Sequence, residues 1–322
     1  MTTTCCLLLA LGALAWDLTD SWRTAPAVVS GQIARPLGGG IGLIDPATGK
    51  VSELVRGESN AIATAVAWSP DRARIAFSVF HKRPEDRVSS AELYVVAATG
   101  GTPTLTVPRD QPGAIIDAPA WSPDGQSIFY TYQGTENGRP VARVERATVA
   151  DGSRQPLYAD GSFPDVAPDG RSLTFVHDDG TGASLRLGSV SGGDARDIVP
   201  VNTFTSIAGP RYAPDGTRIA FTALGKGPQP SGEVIRPPSL WGLLSVPVAE
   251  AHGDPWGTWT VRTDGSDLRT ATSLLEDEPL LAWSPDGAWI AVNGGGGLWV
   301  VDARGTGDPR QVTGGSIGAI DW

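Results

Sequence analysis

Short apolar runs alternate with polar turn residues along most of the chain. Runs such as residues 74–77, 127–130 and 218–221 are rich in β-branched and aromatic side chains and are bounded by Pro, Asp and Gly. Such runs are typical of short β-strands that end in tight turns. Helical periodicity is hard to find after residue 16, so the pattern predicts an all-β protein.

The turn between two successive runs has a recurring sequence. Trp-Ser-Pro-Asp-Gly occurs at residues 121–125 and 283–287, with a near copy at 68–71 and shorter copies at 167–170 and 213–216. Pro presets the backbone for a turn, Asp bonds its own backbone, and Gly accepts the left-handed conformation, so each copy predicts a hairpin. The residues assigned to structural turns are Pro70, Asp71, Pro123, Asp124, Pro168, Asp169, Pro214, Asp215, Pro285 and Asp286.

One copy of the turn departs from the others, because Arg72 stands where they have Gly. A left-handed conformation at this residue would cost about 1 kcal/mol. We interpret this copy as degenerate and assign it no function.

Two further strands follow each hairpin, for example at residues 92–96 and 104–107. The turns recur with a period of about 40–50 residues, and four strands per period are typical of propeller blades. One unit is longer, and its excess at about residues 224–256 predicts a Pro-rich loop insertion. Long insertions in compact domains are usually functional or disordered, and both interpretations stay open here.

The two ends of the chain complement each other. Residues 31–57 have the pattern of the last three strands of a blade, and residues 317–322 have the pattern of a first strand. The sequence therefore predicts a six-bladed β-propeller of four-stranded blades over residues 31–322. Pairing of the C-terminal strand with the N-terminal strands closes the ring and removes exposed sheet edges.

The repeats resemble the WD40-like repeats of the TolB-type propeller family, whose core is Ser-Pro-Asp-Gly-x-x-Ile-Ala-Phe. The resemblance covers residues 31–322 through the five turns. It implies six blades, action outside the cytoplasm, and binding of proteins or small ligands. The same propeller caps prolyl-oligopeptidase-type serine peptidases. TolB itself has an additional N-terminal domain, so its specific role is not carried over.

The net charge and the cysteine content limit which classes of partner and site the sequence can have. A net charge of −10 argues against nucleic acid, whose phosphates need a basic face, and suits an anionic membrane surface poorly. Cys5 and Cys6 are the only cysteines, so the propeller has no disulfide framework or thiolate metal site. We expect no cofactor, a monomer, and a protein or small molecule as the unknown partner.

The N-terminus carries an apolar run at residues 5–16, which has the length of a signal-peptide core. No Lys or Arg precedes the run, and its cysteines lie at its start, which does not fit a lipoprotein. Residues 1–30 are therefore interpreted as a leader, either a signal peptide or the remnant of a membrane anchor, plus a linker. An apolar tail packed on the domain is the alternative. The expected location is extracytoplasmic, in the periplasm or at the cell surface, with a membrane tether as a variant of that prediction.

The candidate binding residues belong to connections between second and third strands. His81 and His177 each follow a second strand, and His252 lies in the insertion. These connections emerge on one face of a propeller, so the three histidines are predicted to share that face. The full set of predicted binding residues is His81, Lys82, Arg83, His177, Asp178, Asp179, Arg236, Trp241, His252 and Trp256.

The predicted function is non-enzymatic binding of a protein or small ligand on the face that carries the insertion. Two alternatives stay open: a propeller-type lyase or hydrolase with a His-lined channel, and the propeller part of a prolyl-oligopeptidase-like system. No catalytic residue or metal ligand is assigned. A Gly-x-Ser-x-Gly pattern at residues 314–318 resembles a nucleophile elbow. Such an elbow joins a strand to a helix, and the Asp and His of the triad follow it in the chain. Only four residues follow this pattern, and we interpret it as a loop between blades.

Overall fold

The computed structural model describes residues 31–81, 88–225, 256–315 and 318–322. These ranges contain 23 strands and no helix. Among these described residues there is thus no helix long and apolar enough to cross a membrane.

In chain order the strands are β1 (Ile33–Leu37), β2 (Gly40–Ile44), β3 (Val51–Val55), β4 (Ala61–Trp68), β5 (Arg74–His81), β6 (Ser90–Ala97), β7 (Thr104–Val107), β8 (Ile115–Trp121), β9 (Ser127–Glu136), β10 (Arg139–Thr148), β11 (Arg154–Ala159) and β12 (Gly161–Val166). They continue with β13 (Ser172–Asp178), β14 (Ala183–Ser189), β15 (Ala195–Val199), β16 (Ser206–Tyr212), β17 (Arg218–Leu224), β18 (Trp256–Arg262), β19 (Arg269–Glu276), β20 (Leu280–Trp283), β21 (Trp289–Asn293), β22 (Leu298–Asp302) and β23 (Arg310–Thr313).

The strands form six antiparallel sheets, and each sheet is one propeller blade. Blade 1 contains β1–β3, and blades 2 to 6 contain β4–β7, β8–β11, β12–β15, β16–β19 and β20–β23 in that order. The predicted all-β, six-bladed propeller with four-stranded blades is confirmed.

The missing strand of blade 1 comes from the C-terminus. Ala34 and Asp321 exchange backbone hydrogen bonds of 2.7 and 3.1 Å, so residues 319–322 pair with β1. On its other side this segment contacts blade 2, where the amide of Val66 donates to the carbonyl of Ala319 at 3.2 Å. The predicted closure of the ring by the two chain ends is confirmed.

Six apolar clusters hold the ring together, one at each interface between adjacent blades. Blades 4 and 5 share a cluster that contains Leu185 and Phe221, both fully buried. Blades 6 and 1 share another that contains Val300 and Ile320. Because each blade packs against two neighbours, the inner strands bury apolar side chains on both faces, whereas the outer strands, such as β3, are largely exposed.

The repeated turns have the geometry that their sequence predicts. Asp124 accepts hydrogen bonds from the hydroxyl of Ser122 at 2.5 Å and from the amide of Gln126 at 3.0 Å, while Gly125 has a left-handed φ of 67°. Arg72 adopts the same conformation with φ 58°. Its guanidinium lies 4.1 Å from the centre of the Trp68 ring and donates to the carbonyl of Gln32 in blade 1. This copy therefore links two blades, a contact that its interpretation as degenerate had missed.

The first strands of blades 2 to 5 each contain a β-bulge. In β8 and β12 the bulge includes a non-glycine residue with positive φ, Ala118 at 52° and Phe163 at 51°, and a proline follows each of them. A bulge bends its strand and changes the direction in which the following side chains point. Here those residues are the last ones before the repeated turn, where the first strands line the central channel.

The propeller has two faces, which we name by their connections. The turn face carries the turns between first and second strands, at Asp71, Asp124, Asp169, Asp215 and Asp286. The opposite face carries the ends of the second strands, including His81 of β5 and His177 of β13.

Candidate functional site

The central channel opens on the turn face into a cavity that we call the channel mouth. Two adjoining volumes of about 420 and 300 Å³ make up this cavity, and both are lined by Asp165, Arg211 and Asp321. The prolines of the repeated turns form its rim, namely Pro70, Pro123, Pro168, Pro214 and Pro285. Residues from all six blades therefore meet at this mouth.

The three charged residues occupy one register position of the repeat. Each is the penultimate residue of the first strand of its blade, as Asp321 is in the segment that completes blade 1. The residues at this position in blades 1 to 6 are Asp321, Ala67, Ala120, Asp165, Arg211 and Ala282. Three blades thus place a charge where the other three have a methyl group.

Backbone amides hold both carboxylates in place. The amide of Tyr212 in blade 5 donates to Asp165 of blade 4 at 2.7 Å, and the amide of Trp68 in blade 2 donates to Asp321 at 2.6 Å. Each carboxylate therefore accepts a bond from the last residue of the next blade's first strand. The aspartates are fixed in orientation, and they connect neighbouring blades.

Burial dominates the electrostatics of the channel mouth. It raises the pKa of Asp165 to about 6, against the opposing effects of the Arg211 charge and the Tyr212 amide. Burial likewise raises the pKa of Asp321, and Arg211 again opposes the shift. Arg211 is only 8% exposed, and its Nη1 donates to the carbonyl of Pro210 at 3.3 Å. A carboxyl that titrates near neutral pH is typical of functional sites.

A further carboxylate lies on the first strand of blade 3, farther from the turn face than the channel mouth. Asp117 of β8 accepts a hydrogen bond of 2.8 Å from the hydroxyl of Thr64 in blade 2, and burial raises its pKa. At the channel mouth itself, Asp165 and Asp321 are the acidic groups that line the cavity, and the Arg211 guanidinium lines it with them. The described channel can therefore hold a ligand that presents a cationic group together with a hydrogen-bond acceptor.

The two described histidines have separate surroundings. His81 lies at the end of β5 in blade 2, with its Nε2 3.1 Å from the hydroxyl of Tyr94 and 4.0 Å from Glu92. His177 lies in blade 4, with its Nε2 3.9 Å from Asp179. Both stand on the opposite face, as predicted from their register, and the described contacts of each are with residues of its own blade.

The other predicted binding residues divide into two groups. Asp178 and Asp179 each accept a backbone bond within their own loop, from Gly180 and Thr181, and Trp256 begins β18. The remaining predictions lie outside the described residues, namely Lys82, Arg83, Arg236, Trp241, His252, the leader and most of the 224–256 insertion. In the described ranges, no three His, Cys, Asp or Glu side chains group closely enough to hold a metal ion.

The charged residues of the channel mouth were missed by sequence reasoning. The signal was present, because alignment of the repeats on their turns places Asp165, Arg211 and Asp321 where Ala67, Ala120 and Ala282 stand. The turn proline marks this column, which lies three residues before Pro70, Pro123, Pro168, Pro214 and Pro285. Residues at this aligned position are distant in the sequence, and only the closed ring brings Asp165, Arg211 and Asp321 together.

No family model matches the chain. Among curated proteins, the chain is 28% identical over 183 residues to a protein of Bacillus subtilis (strain 168) named "Uncharacterized peptidase YuxL". The alignment covers 57% of this chain and 25% of that protein. The chain therefore spans only about a quarter of this relative.

Solved structures with similar folds belong to proteins of different kinds. TolB from Acinetobacter baumannii is 18% identical with a TM-score of 0.64, over 92% of this chain and 67% of that chain. A chain of a nidogen/laminin complex is 10% identical with a TM-score of 0.63, over 90% and 97%. An oligogalacturonate lyase in complex with manganese is 14% identical with a TM-score of 0.51, over 85% and 70%. The likeness confirms the resemblance to TolB-type propellers at the level of the fold.

Proposed function

We propose that this protein is a non-enzymatic binding propeller that acts outside the cytoplasm and holds a protein or small-molecule ligand at the channel mouth. The observation that carries the proposal is the convergence of Asp165, Arg211 and Asp321 at a register position that is Ala in the other blades. Charges held in a cavity lose hydration, which is unfavourable for folding and typical of sites that bind a ligand.

The lining of the mouth supports binding in preference to catalysis. Its described residues include no Ser, Thr, Cys, Lys or His, which supply most activated nucleophiles, and its charged groups are two aspartates and Arg211, which can pair with charges on a ligand. The ligand chemistry that fits is a cationic group placed between Asp165 and Asp321, with an acceptor for the Arg211 guanidinium.

Photo-crosslinking tests the position of the site. A photoreactive phenylalanine replaces Pro123, which is exposed at the rim of the mouth, or Asp179, which is exposed on the opposite face. We expect the full chain, expressed in its host, to form an adduct from position 123 that is lost in the Arg211→Ala variant. Adducts formed only from position 179 would instead place the ligand on the face that the sequence predicted.

The extracytoplasmic location is part of the same proposal. It is supported by the apolar run at residues 5–16 and by the lack of cysteine in residues 31–322. Cell fractionation is expected to recover the full chain outside the cytoplasm and to recover a variant without residues 1–30 inside it. Recovery of the full chain in the cytoplasm would contradict this part.

A second candidate is the propeller part of a prolyl-oligopeptidase-like system. It is favoured by the 28% identity to a protein named as a peptidase. The test is affinity purification of the full chain from its host, followed by assay of the eluate for cleavage of peptide amides. Peptidase activity that co-purifies with the wild type would support this candidate, and its absence, with a crosslinked non-peptidase partner, would support the first.

A further inference from the structure

Arg211 is a buried charge without a counter-ion. It lines both volumes of the channel mouth, yet among the described residues it forms no ion pair, and its hydrogen bond goes to the carbonyl of its neighbour Pro210. A buried guanidinium that lacks a charged acceptor is unfavourable for folding, because nothing replaces the hydration that it has lost. Its position therefore indicates a place for an anionic group of a ligand inside the mouth.

Asp165 and Asp321 place the opposite charge beside Arg211. Burial raises the pKa of each carboxyl, and the Arg211 charge acts against that rise, which shows that Arg211 is near both. Neither carboxylate pairs with it. Backbone amides bond to each of them instead, which leaves some of the roughly four lone-pair sites of each carboxylate for a ligand. The two aspartates can therefore accept bonds from a group that brings several N–H donors.

The three charges favour a ligand that carries both signs. A simple anion would satisfy Arg211 but would be repelled by two carboxylates. A simple cation would satisfy the carboxylates but would leave Arg211 buried without an acceptor. A zwitterion satisfies all three side chains, because an ammonium group has three N–H donors and a guanidinium binds a carboxylate through two parallel hydrogen bonds.

The walls of the mouth around these charges are apolar. Trp68, Trp121 and Val166 line the larger volume of about 420 Å³, and Trp283 and Trp322 line the smaller one of about 300 Å³. Pockets of this size, with apolar walls and a few convergent polar groups, are typical of small-molecule sites. The walls suit an aliphatic or aromatic side chain on the ligand.

We infer that the channel mouth selects zwitterions of the α-amino-acid type. The ammonium group lies between Asp165 and Asp321, the carboxylate binds Arg211, and an apolar side chain packs against the tryptophan walls. The inference rests on the proposed function and names the class of ligand for that site. Free amino acids and short peptides share this chemistry and differ in the distance between their two charges.

The test measures two zwitterions by calorimetry on the full chain at neutral pH, L-phenylalanine and the dipeptide phenylalanyl-phenylalanine. We expect at least one of them to bind, and the tighter of the two identifies the source of the ligand. Two matched derivatives of that probe follow: its C-terminal amide lacks the carboxylate, and its N-acetyl form lacks the ammonium. Each is expected to bind about tenfold more weakly than the parent, because it leaves a charge of the mouth without its partner.

Two variants assign the two charges of the zwitterion to their partners. Arg211→Ala installs the residue with which blades 2, 3 and 6 fold at this register position. It is expected to weaken binding of the zwitterion about tenfold and to leave the amide unaffected or tighter, because the amide has no carboxylate for Arg211. Asp165→Asn is expected to weaken the zwitterion to a similar extent and to leave the N-acetyl form unaffected or tighter, because it removes a like charge.

Asp308→Asn is the control variant, since it neutralises an exposed aspartate of blade 6 and is expected to change no affinity. The inference is overturned if neither zwitterion binds, if the amide or the N-acetyl form binds wild type as tightly as its parent, or if Asp308→Asn weakens binding as much as Arg211→Ala. In these cases an Arg211-dependent adduct from position 123 would still support the proposed function. Adducts from position 179 alone, with no binding of either zwitterion, would overturn both.

Discussion

Glu145 is a buried carboxylate with a full set of partners in blade 3. It accepts hydrogen bonds from the hydroxyl of Tyr130 at 2.6 Å, from Arg143 at 2.6 Å and from Arg154 at 2.8 Å. Burial acts to raise its pKa, but the bonds from Tyr130, Arg143 and Arg154 outweigh burial, and the pKa is lowered. The ionised form is therefore the one that the folded blade stabilises.

Glu145→Ala is expected to lower the free energy of unfolding by about 2–4 kcal/mol, because it removes the buried acceptor that Tyr130, Arg143 and Arg154 share, while Arg143 keeps only Glu136 as a carboxylate partner. The measurement is urea denaturation at pH 7. Since the pKa is depressed in the folded state, the stabilisation is present above the unfolded value of about 4.3 and is lost as the pH falls. Glu145→Gln, which keeps an acceptor, should cost less, and a cost below about 1 kcal/mol for the alanine variant would contradict this account.

Asp165 has the reverse behaviour, because burial raises its pKa to about 6, above its ordinary value of about 3.9. Its contribution to stability is complete below the unfolded pKa of about 3.9 and is lost as the pH rises through the folded value. Asp165→Asn, which imitates the neutral acid, should match the wild type near pH 4 and exceed it above pH 6.5 by up to about 3 kcal/mol.

Denaturation curves at several pH values, for the wild type and Asp165→Asn, measure this difference directly. A constant gap between the two proteins from pH 4 to pH 7 would contradict the raised pKa. The same titration predicts that a cationic ligand of the channel mouth binds more tightly above pH 6 than below it, because Asp165 is then ionised.

At the scale of the element, the repeated turn depends on a left-handed residue. Gly125→Ala is expected to destabilise the protein by about 1 kcal/mol, since its φ of 67° is unfavourable for any residue with a Cβ. Arg72 already bears that cost, and its stacking on Trp68 and its bond to Gln32 offset it.

Arg72→Gly is therefore expected to change the free energy of unfolding by less than about 1 kcal/mol, because relief of strain and loss of the two contacts cancel. Arg72→Ala keeps the strain and loses both contacts, so it should be the less stable of the two. Thermal unfolding of both variants provides the comparison, and equal stability of the two would show that the side-chain contacts contribute nothing.

At the scale of the whole molecule, closure rests on a short C-terminal segment. Ile320 is fully buried between blades 6 and 1. Ile320→Ala is expected to lower the free energy of unfolding by about 2–4 kcal/mol, since it removes apolar contacts and leaves a cavity at the closing interface.

The matched control is Ile62→Ala, at a strand position that is 64% exposed. It should change the free energy by less than about 0.5 kcal/mol. Guanidinium denaturation of both variants gives the comparison. Similar small losses in the two would mean that the closing segment does not stabilise the ring.

The sequence by itself determined the strands, the turns, the number of blades and the closure of the ring. These features are encoded locally, because side-chain alternation has a period of two residues and the turn at Pro123, Asp124 and Gly125 needs those residue types. Only the tertiary structure decided where function can reside. Asp165, Arg211 and Asp321 lie in three different blades and become neighbours at the channel mouth only when the ring closes. Such convergence of distant residues has no local pattern, so it could not be predicted from the turns alone.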